Sequence, residues 1–236
     1  MRSERIRLFQ TLPHACGYYG ERVAQNLVID PAAPQLDQLY PQALAHGFRR
    51  AGGHLYHPRC ASCHACTPCR VQVHAFAPDR SQRRCKSRNA DLVMHVTEPG
   101  YSDERFALYK RYLGQRHEGG GMDDADADDF SRFLDAPWSP TYFLEWRLHG
   151  QLVAVAATDI CSTALSAVYT FFDPDLPERG LGTHAILSQI DWALRLGLAH
   201  LYLGYWIAHH PKMDYKRRFK PLEILDDHGW HLLEAD

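Results

Sequence analysis

The chain has 236 residues, 45% hydrophobic and 23% charged, with a formal net charge of −2. This suits one large domain or two small ones around a real core, and it excludes a uniformly cationic binder of polyanions. No run of 18 apolar residues occurs, so no membrane-spanning helix is expected. The first residues, Met-Arg-Ser-Glu-Arg-Ile-Arg, lead into no apolar stretch, so no signal peptide is expected. Seven cysteines in such a chain point to a reducing cytoplasm, with thiols free or metal-bound.

Gly, Pro, His and Cys crowd residues 13–69, which read as irregular apart from a short helix over Leu36–Leu44. Next comes Cys60-Ala-Ser-Cys63-His-Ala-Cys66-Thr-Pro-Cys69. Thiolates at a three-residue step can converge on a soft metal or an iron–sulfur cluster, whereas free thiols in a loop are the plainer reading. The run sits among Arg49, Arg50, Arg59, Arg70, Arg80, Arg83, Arg84, Lys86 and Arg88, with Asp79 the one acid between His46 and Ala90. Such a stretch suggests an anionic partner, nucleic acid first. Arg70–Phe76 alternates as a strand, Arg80–Asn89 reads as a basic helix, and Asp91–Thr97 alternates again.

Ser102–Arg116 is amphipathic. Asp123, Asp124, Asp126, Asp128 and Asp129 form an acidic run that lacks the Gly and terminal Glu of a calcium loop, so a solvated helix start or loop is expected. Strands follow over Tyr142–Leu148 and Leu152–Ile160, joined by a tight turn at His149-Gly150, and then over Leu165–Phe172. A helix over Leu181–Leu196, a strand over His200–Tyr205, a short basic helix over His210–Phe219 and a strand over Glu223–Leu232 complete the chain. Lys212, Lys216, Arg217, Arg218 and Lys220 form a second basic cluster, with Asp214 among them.

This order resembles the fold of the GCN5-related N-acetyltransferases: α+β, a mixed sheet with helices on both faces. The resemblance implies an anionic acyl carrier at the strand–helix junction, here Arg179-Gly180-Leu181-Gly182. Glycine permits close backbone approach, and a helix N-terminus offers free N–H groups to phosphate. A glycine turn that merely enters a helix is the other reading.

Eight strings resemble one family along residues 5–232. They include Cys16-Gly-Tyr18-Tyr19, Gly47-Phe48-Arg49-Arg50, Leu55-Tyr56-His-Pro-Arg-Cys60, Ser81-Gln-Arg83-Arg84 with Asn89-Ala-Asp91, and Arg116-His117 with Gly121-Met122. The others are Tyr169-Thr170-Phe171-Phe172-Asp173-Pro174, Tyr202-Leu-Gly204-Tyr205-Trp206 and Lys212-Met213-Asp-Tyr215-Lys216. Together they resemble the aminoacyl-tRNA–protein transferases, in particular the bacterial aspartate/glutamate leucyltransferase branch, which is related to the eukaryotic arginyltransferases.

The resemblance implies transfer of leucine, with arginine the alternative, from charged tRNA to proteins beginning with Asp or Glu, marking them for degradation. It also implies a cysteine-bearing region, residues 1–78, packed on an acetyltransferase-like domain, residues 79–236. Tyr19 stands where the eukaryotic enzymes carry a second cysteine. A zinc or iron–sulfur site would therefore use Cys16, Cys60, Cys63 and Cys66, with Cys69 and Cys85 as further thiols, and the ligand set stays open. The chemistry itself requires no cofactor.

An aminoacyl ester is already activated, and no Walker-type ATP loop is present. The attacking α-amine has a pKa of about 8, so alignment and oxyanion stabilisation matter more than a strong base. Asp173 is the carboxylate expected to meet the amine, unless Asp173-Pro174 is only a turn. Tyr169, Tyr205 and Tyr215 are candidate hydrogen-bond donors, against plain core packing. Arg49, Arg50, Arg70, Lys212 and Lys216 are candidates for the acceptor's carboxylate, against solvated surface roles. Trp206 and Tyr205 are candidates for lining the aminoacyl pocket, with Phe171 on the neighbouring strand. Arg80, Arg83, Arg84, Lys86 and Arg88 are candidates for phosphate contacts with tRNA, against a solvated basic helix. Cys161 reads as a core thiol.

Two other functions compete. A non-catalytic RNA-binding module bearing a metal or cluster would not need the Tyr-Thr-Phe-Phe-Asp strand end. A CoA-dependent acetyltransferase would leave the cysteine-rich half unexplained, and its phosphate loop is incomplete here.

Overall fold

A computed structural model describes residues 6–116 and 126–234 of the chain. His117, Gly121 and Met122, with Asp123 and Asp124 of the acidic run, lie outside the described residues. Strands β1 (Leu8–Gln10), β2 (His14–Ala15), β3 (Val23–Ala24) and β4 (Asn26–Ile29) precede helix α1 (Leu36–Ala45), then β5 (Arg49–Ala51), β6 (His54–Pro58) and β7 (Thr67–Gln72). The segment expected to be irregular therefore holds a four-stranded sheet, β1-β4-β6-β5, and a β2–β3 ribbon. Strands of two to five residues are too short to display a period of two, so no alternation marks them.

Helix α2 (Arg80–Arg88) starts at a capping box in which the Asp79 carboxylate accepts from the Gln82 N–H and the Gln82 side chain accepts from the Asp79 N–H. Then come β8 (Val93–Thr97), α3 (Asp103–Arg116) and α4 (Ala127–Leu134), the last capped by Asp126 of the acidic run. β9 (Thr141–Leu148) and β10 (Gln151–Ile160) are joined by His149-Gly150, whose φ values of 50° and 89° suit a two-residue hairpin turn. β11 (Ala164–Phe172), α5 (Leu181–Arg195), β12 (His200–Trp206), β13 (Leu222–Asp226) and β14 (Gly229–Leu232) finish the chain.

Three expectations are corrected. The strand expected over Arg70–Phe76 begins at Thr67 and stops at Gln72, where Val73–Ala75 turns into a 3-10 helix. The basic helix expected over His210–Phe219 shrinks to a 3-10 turn at Asp214–Arg218. The closing strand is a hairpin, β13–β14.

The large sheet runs β14-β13-β7-β12-β11-β10-β9-β8. Its pairings are antiparallel except β11 with β12, so the fold is α+β with a mixed sheet. One face packs α5 through Ile186, Leu187 and Ile190 against Val71, Leu201 and Leu203. The other packs α3 and α4 through Leu108, Tyr109, Leu113 and Phe130 against Val155 and Phe171. The small sheet and α1 join that second side through Leu36, Tyr40, Leu44 and Leu55, against Ala164 and Tyr202. β7 lies within residues 1–78, yet it is hydrogen-bonded between β12 and β13 of the large sheet.

Small sheet and large sheet are locked by one ion pair. Arg50 and Asp159 are both fully buried at their side chains. Arg50 Nε donates to Asp159 Oδ2 at 2.7 Å and Nη2 donates to Oδ1 at 2.8 Å. Further Arg50 bonds reach the carbonyls of Gly52 and Leu134 and the Thr141 hydroxyl. Tyr40 and Thr141 donate to the same carboxylate, each at 2.7 Å. Every guanidinium nitrogen thus has a partner, the condition under which a buried pair holds.

Two outcomes follow. Asp159→Ala strands the Arg50 charge in the interior and is expected to lower unfolding free energy by about 3–5 kcal/mol in urea titrations; a loss under about 1 kcal/mol contradicts the lock. His184, in the first turn of α5 beside Trp146, is pushed down to about 4 by burial and then by the Lys86 charge. Its folded pKa lies below the unfolded one, so the unfolded chain binds the extra proton between pH 6.5 and 4 and stability falls as pH drops through that window. His184→Gln should flatten that part of a stability–pH curve measured against native protein.

Candidate active site

β11 and β12 pair only over Ala164–Ser166 with His200–Tyr202, then part. Beyond that point β11 keeps its bonds to β10, and β12 keeps its bonds to β7. Two parallel strands that part leave backbone groups facing a gap. Arg49 fills it. Its Nη2 donates to the carbonyls of Ala167 and Val168 on β11. On the β12 side stands Gly204, with φ +79°, where an added Cβ would lie 1.9 Å from Arg49 Nη1. Only glycine admits the guanidinium there.

Arg49 Nη1 is buried without a hydrogen-bond partner, and no carboxylate pairs with Arg49 among the described residues. A second cation lies beside it. Lys216 is 5% exposed, and its Nζ donates to the Tyr205 carbonyl and weakly to Met213 Sδ at 3.9 Å. Burial pushes its ammonium down to about 8; Cys69 opposes that, and Arg49 adds to it.

Tyrosines ring these cations. Tyr18, Tyr56, Tyr205 and Tyr215 all feel the Arg49 charge, and burial raises each phenol's pKa, to about 12 for Tyr215. They are therefore neutral donors at ordinary pH. The Tyr205 hydroxyl is committed, donating to the carbonyls of Gly47 at 2.9 Å and Tyr56 at 3.1 Å. The Tyr169 hydroxyl is buried without a partner, among Tyr109, Tyr112 and Phe133. Tyr215 is 41% exposed and forms part of the wall of an adjoining cleft of ≈ 820 Å³. His210 fastens the β2–β3 ribbon over the site: its Nε2 bonds the Tyr18 carbonyl at 3.1 Å, Nδ1 accepts from the Lys212 N–H, and both Tyr18 and Tyr19 meet its ring edge-on.

Of the residues expected at the site, Arg49, Lys216, Tyr205 and Tyr215 come together, and Tyr169 stands next to them through Tyr112, which neighbours both it and Tyr215. Others do not. Arg50 is withdrawn, because it is sealed in the Asp159 lock. Arg70 pairs with Glu223 at 2.6 Å and stacks 4.2 Å from Trp230, which holds it near β13. Asp173 is 5% exposed and is held by Arg111 at 2.6 Å, so it is a paired carboxylate and not a free one. Phe171 is fully buried in the core. Trp206 Nε1 donates to Asp214. Arg179 forms a two-pronged pair with Asp91 at 2.8 and 2.9 Å, Gly180 is left-handed at φ +62°, and a Cβ on Gly182 would press on Phe172 at 3.2 Å. Lys212, Arg83 and Arg84 are exposed.

Cys16, Cys60, Cys63 and Cys66 are free and half-buried, while Cys161 is buried as expected. Burial raises the Cys66 thiol to about 12, with Cys16, Cys60 and Cys63 close enough to add to the effect. Cys63 is lowered by the Ala65 backbone N–H and by Arg22, whose Nη1 donates to its sulfur at 3.3 Å. No group of three or more metal-ligating side chains is assembled among the described residues. The thiols as placed do not form a ligand set, and no chemical step is derived through a metal.

Tyr18, Tyr112 and His210 were not singled out from sequence. Tyr18 sits in the flagged Cys16-Gly-Tyr-Tyr string, whereas nothing local marks Tyr112 or His210.

Residues 14–84 match the model of the arginine-tRNA-protein transferase N terminus, and residues 104–226 that of its C terminus. An aspartate/glutamate leucyltransferase of Stenotrophomonas maltophilia (strain K279a) is 56% identical over 241 residues, covering 100% of this chain and 96% of that protein. One from Xylella fastidiosa (strain 9a5c) is 54% identical, covering 95% and 91%. Among solved structures, the C-terminal domain of an Agrobacterium fabrum protein described as a lysylphosphatidylglycerol synthetase aligns with a TM-score of 0.51 at 16% identity, over 81% of this chain and 65% of that one, a likeness of fold alone. The match of both halves and the identity along nearly the whole length together show that this chain belongs to the arginine-tRNA-protein transferase family, alongside the aspartate/glutamate leucyltransferases.

Proposed function

We propose that the chain transfers leucine from leucyl-tRNA to the α-amino group of proteins beginning with Asp or Glu, which marks those proteins for degradation. The observation that carries this reading is a pair of cations, half-buried Arg49 with its Nη1 enclosed and unbonded and buried Lys216, without a carboxylate partner among the described residues. An uncompensated buried charge is costly, so a pocket built this way is suited to an anion from outside. The acceptor's Asp or Glu side chain supplies one. The relatives' names favour leucine over arginine as the transferred residue.

In this reading the acceptor carboxylate meets Arg49, and its α-amine faces the ester carbonyl. The amine nitrogen attacks, the C–O bond to the ribose breaks, and the amine's proton passes to the departing ribose oxygen. Tyr169 and Tyr215 donate hydrogen bonds to the carbonyl oxygen as negative charge develops. Lys216 adds positive potential behind them, and Tyr205 holds β6 and the Gly47 turn in place. No cofactor enters these steps, and the reaction belongs where charged tRNA is found, the cytoplasm. Residues 1–78 supply Arg49 and the ribbon above it, and residues 79–236 supply the tyrosines and Lys216. We also read the larger part as acetyltransferase-like, supported by the β9–β10 hairpin, β11, α5 and β12 and by the parting of β11 from β12. No helix among the described residues is long and apolar enough to cross a membrane.

Purified protein offered leucyl- or arginyl-tRNA should label peptides beginning Asp or Glu from the leucyl donor, and leave peptides beginning Asn or Lys unlabelled. Equal labelling of all four sinks the carboxylate reading; no transfer from either donor sinks the enzyme reading. Arg49→Met should raise KM for an Asp-initiated peptide by about 100-fold with a smaller change in KM for the donor. Tyr169→Phe should lower kcat by roughly 10–100-fold at nearly constant KM, and an unchanged kcat would remove its hydroxyl from the transition state.

A further inference from the structure

The ≈ 820 Å³ cleft beside Tyr215 is lined by neither Arg49 nor Lys216, the cations assigned to the acceptor. One wall is the start of α2, with Ala77 and Gln82; the other is the connection from β12 to β13. Gln82 Nε2 donates to the Arg218 carbonyl at 2.9 Å and ties the walls together, so the cleft is a built feature and not a gap between loose parts. Arg217, Arg218 and Lys220 line it. Its two carboxylates are already engaged. Asp79 caps α2, and Asp214 accepts from Trp206 Nε1 at 3.0 Å and lies 3.9 Å from Arg217. Arg218 and Lys220 are exposed and have no ion-pair partner among the described residues. His209 and the Tyr215 ring add flat surfaces on which bases can stack.

Tyr215 belongs to both places: its ring borders this cleft, and its phenol feels Arg49. Lys216 Nζ lies 5.8 Å from the centre of the same ring, so a ligand in the cleft lies beside the two cations. Outside, Arg80, Arg83, Arg84 and Arg88 stand exposed on α2, a helix without an acidic residue.

We infer that the cleft seats the single-stranded 3′ end of the donor RNA, its phosphates on Arg217, Arg218 and Lys220, while the outer face of α2 meets the duplex that precedes it. This rests on the transferase reading above. A volume of this size is of the order that one or two stacked nucleotides need.

The test measures binding of uncharged tRNA, so it does not depend on transfer. Native protein should bind intact tRNA about tenfold more tightly than tRNA lacking its single-stranded 3′ nucleotides. In Arg218→Glu/Lys220→Glu the two RNAs should bind alike, whereas Arg83→Glu/Arg84→Glu should weaken both by one factor and keep their ratio. The neutral pair Arg218→Ala/Lys220→Ala should shrink the ratio in the same direction. If the cleft variants bind tRNA with the native ratio, the placement is overturned and the transferase reading stands. If native protein binds neither RNA, the donor reading falls and this inference with it.

Discussion

The site depends on two adjacent arginines facing opposite ways. Neighbouring side chains on a strand point to opposite faces. On β5, Arg50 turns inward and is held by Asp159, Thr141 and two carbonyls, so the strand can neither slide nor rotate. Arg49 is thereby aimed into the gap between β11 and β12. A register slip of one residue would turn each arginine to the opposite face and take Arg50 away from Asp159. The cost of desolvating Arg50 is offset only because Asp159 gathers Arg50, Tyr40 and Thr141 at once, one residue from each of three separate parts of the chain.

The surroundings of Arg49 and Lys216 owe their polarity to burial. Protein walls weaken the screening of Arg49 and Lys216, so their field reaches further than it would in water. Tyrosines suit such a place, because burial keeps them protonated and a neutral donor can turn toward charge that develops elsewhere. Cys66 and Cys69 stay thiols for the same reason. The positive field is therefore not cancelled by groups that could have ionised beside it.

The longer periodic elements were legible. α1, α2, α3, α5 and strands β8 to β12 could be read to within a few residues, since each carries enough turns or alternations to show its period. Short strands before residue 60 could not, and neither could the collapse of the Lys212–Lys220 segment into one 3-10 turn, which follows from tertiary demands on Lys216, Asp214 and the chain's return to β13. At the site, basic and aromatic residue types could be listed, but not their partners. Arg49 and Arg50 look alike in sequence, and only the distant Asp159 separates them. Asp173 looked free because Arg111 lies on a helix far away in sequence. The cleft was invisible, because its walls are built from segments near Gln82 and near Arg218 that nothing local connects.

The position of β7 bears on how the molecule is made. This strand is synthesised early but lies between β12 and β13, the former paired with it from Gln72 opposite His200 to Thr67 opposite Trp206. A chain leaving the ribosome must carry β7 with both edges open until almost all of the remainder has emerged, a high-contact-order topology that folds slowly. The thiols of Cys60, Cys63 and Cys66 and the apolar Val71 stay uncovered for that interval. The β2–β3 ribbon is also made early, and it reaches its seat only once His210, between β12 and β13, has emerged. Until β12 and the segment after it have emerged, a nascent chain therefore lacks both the Gly204 surface that Arg49 meets and the His210 seat of the ribbon.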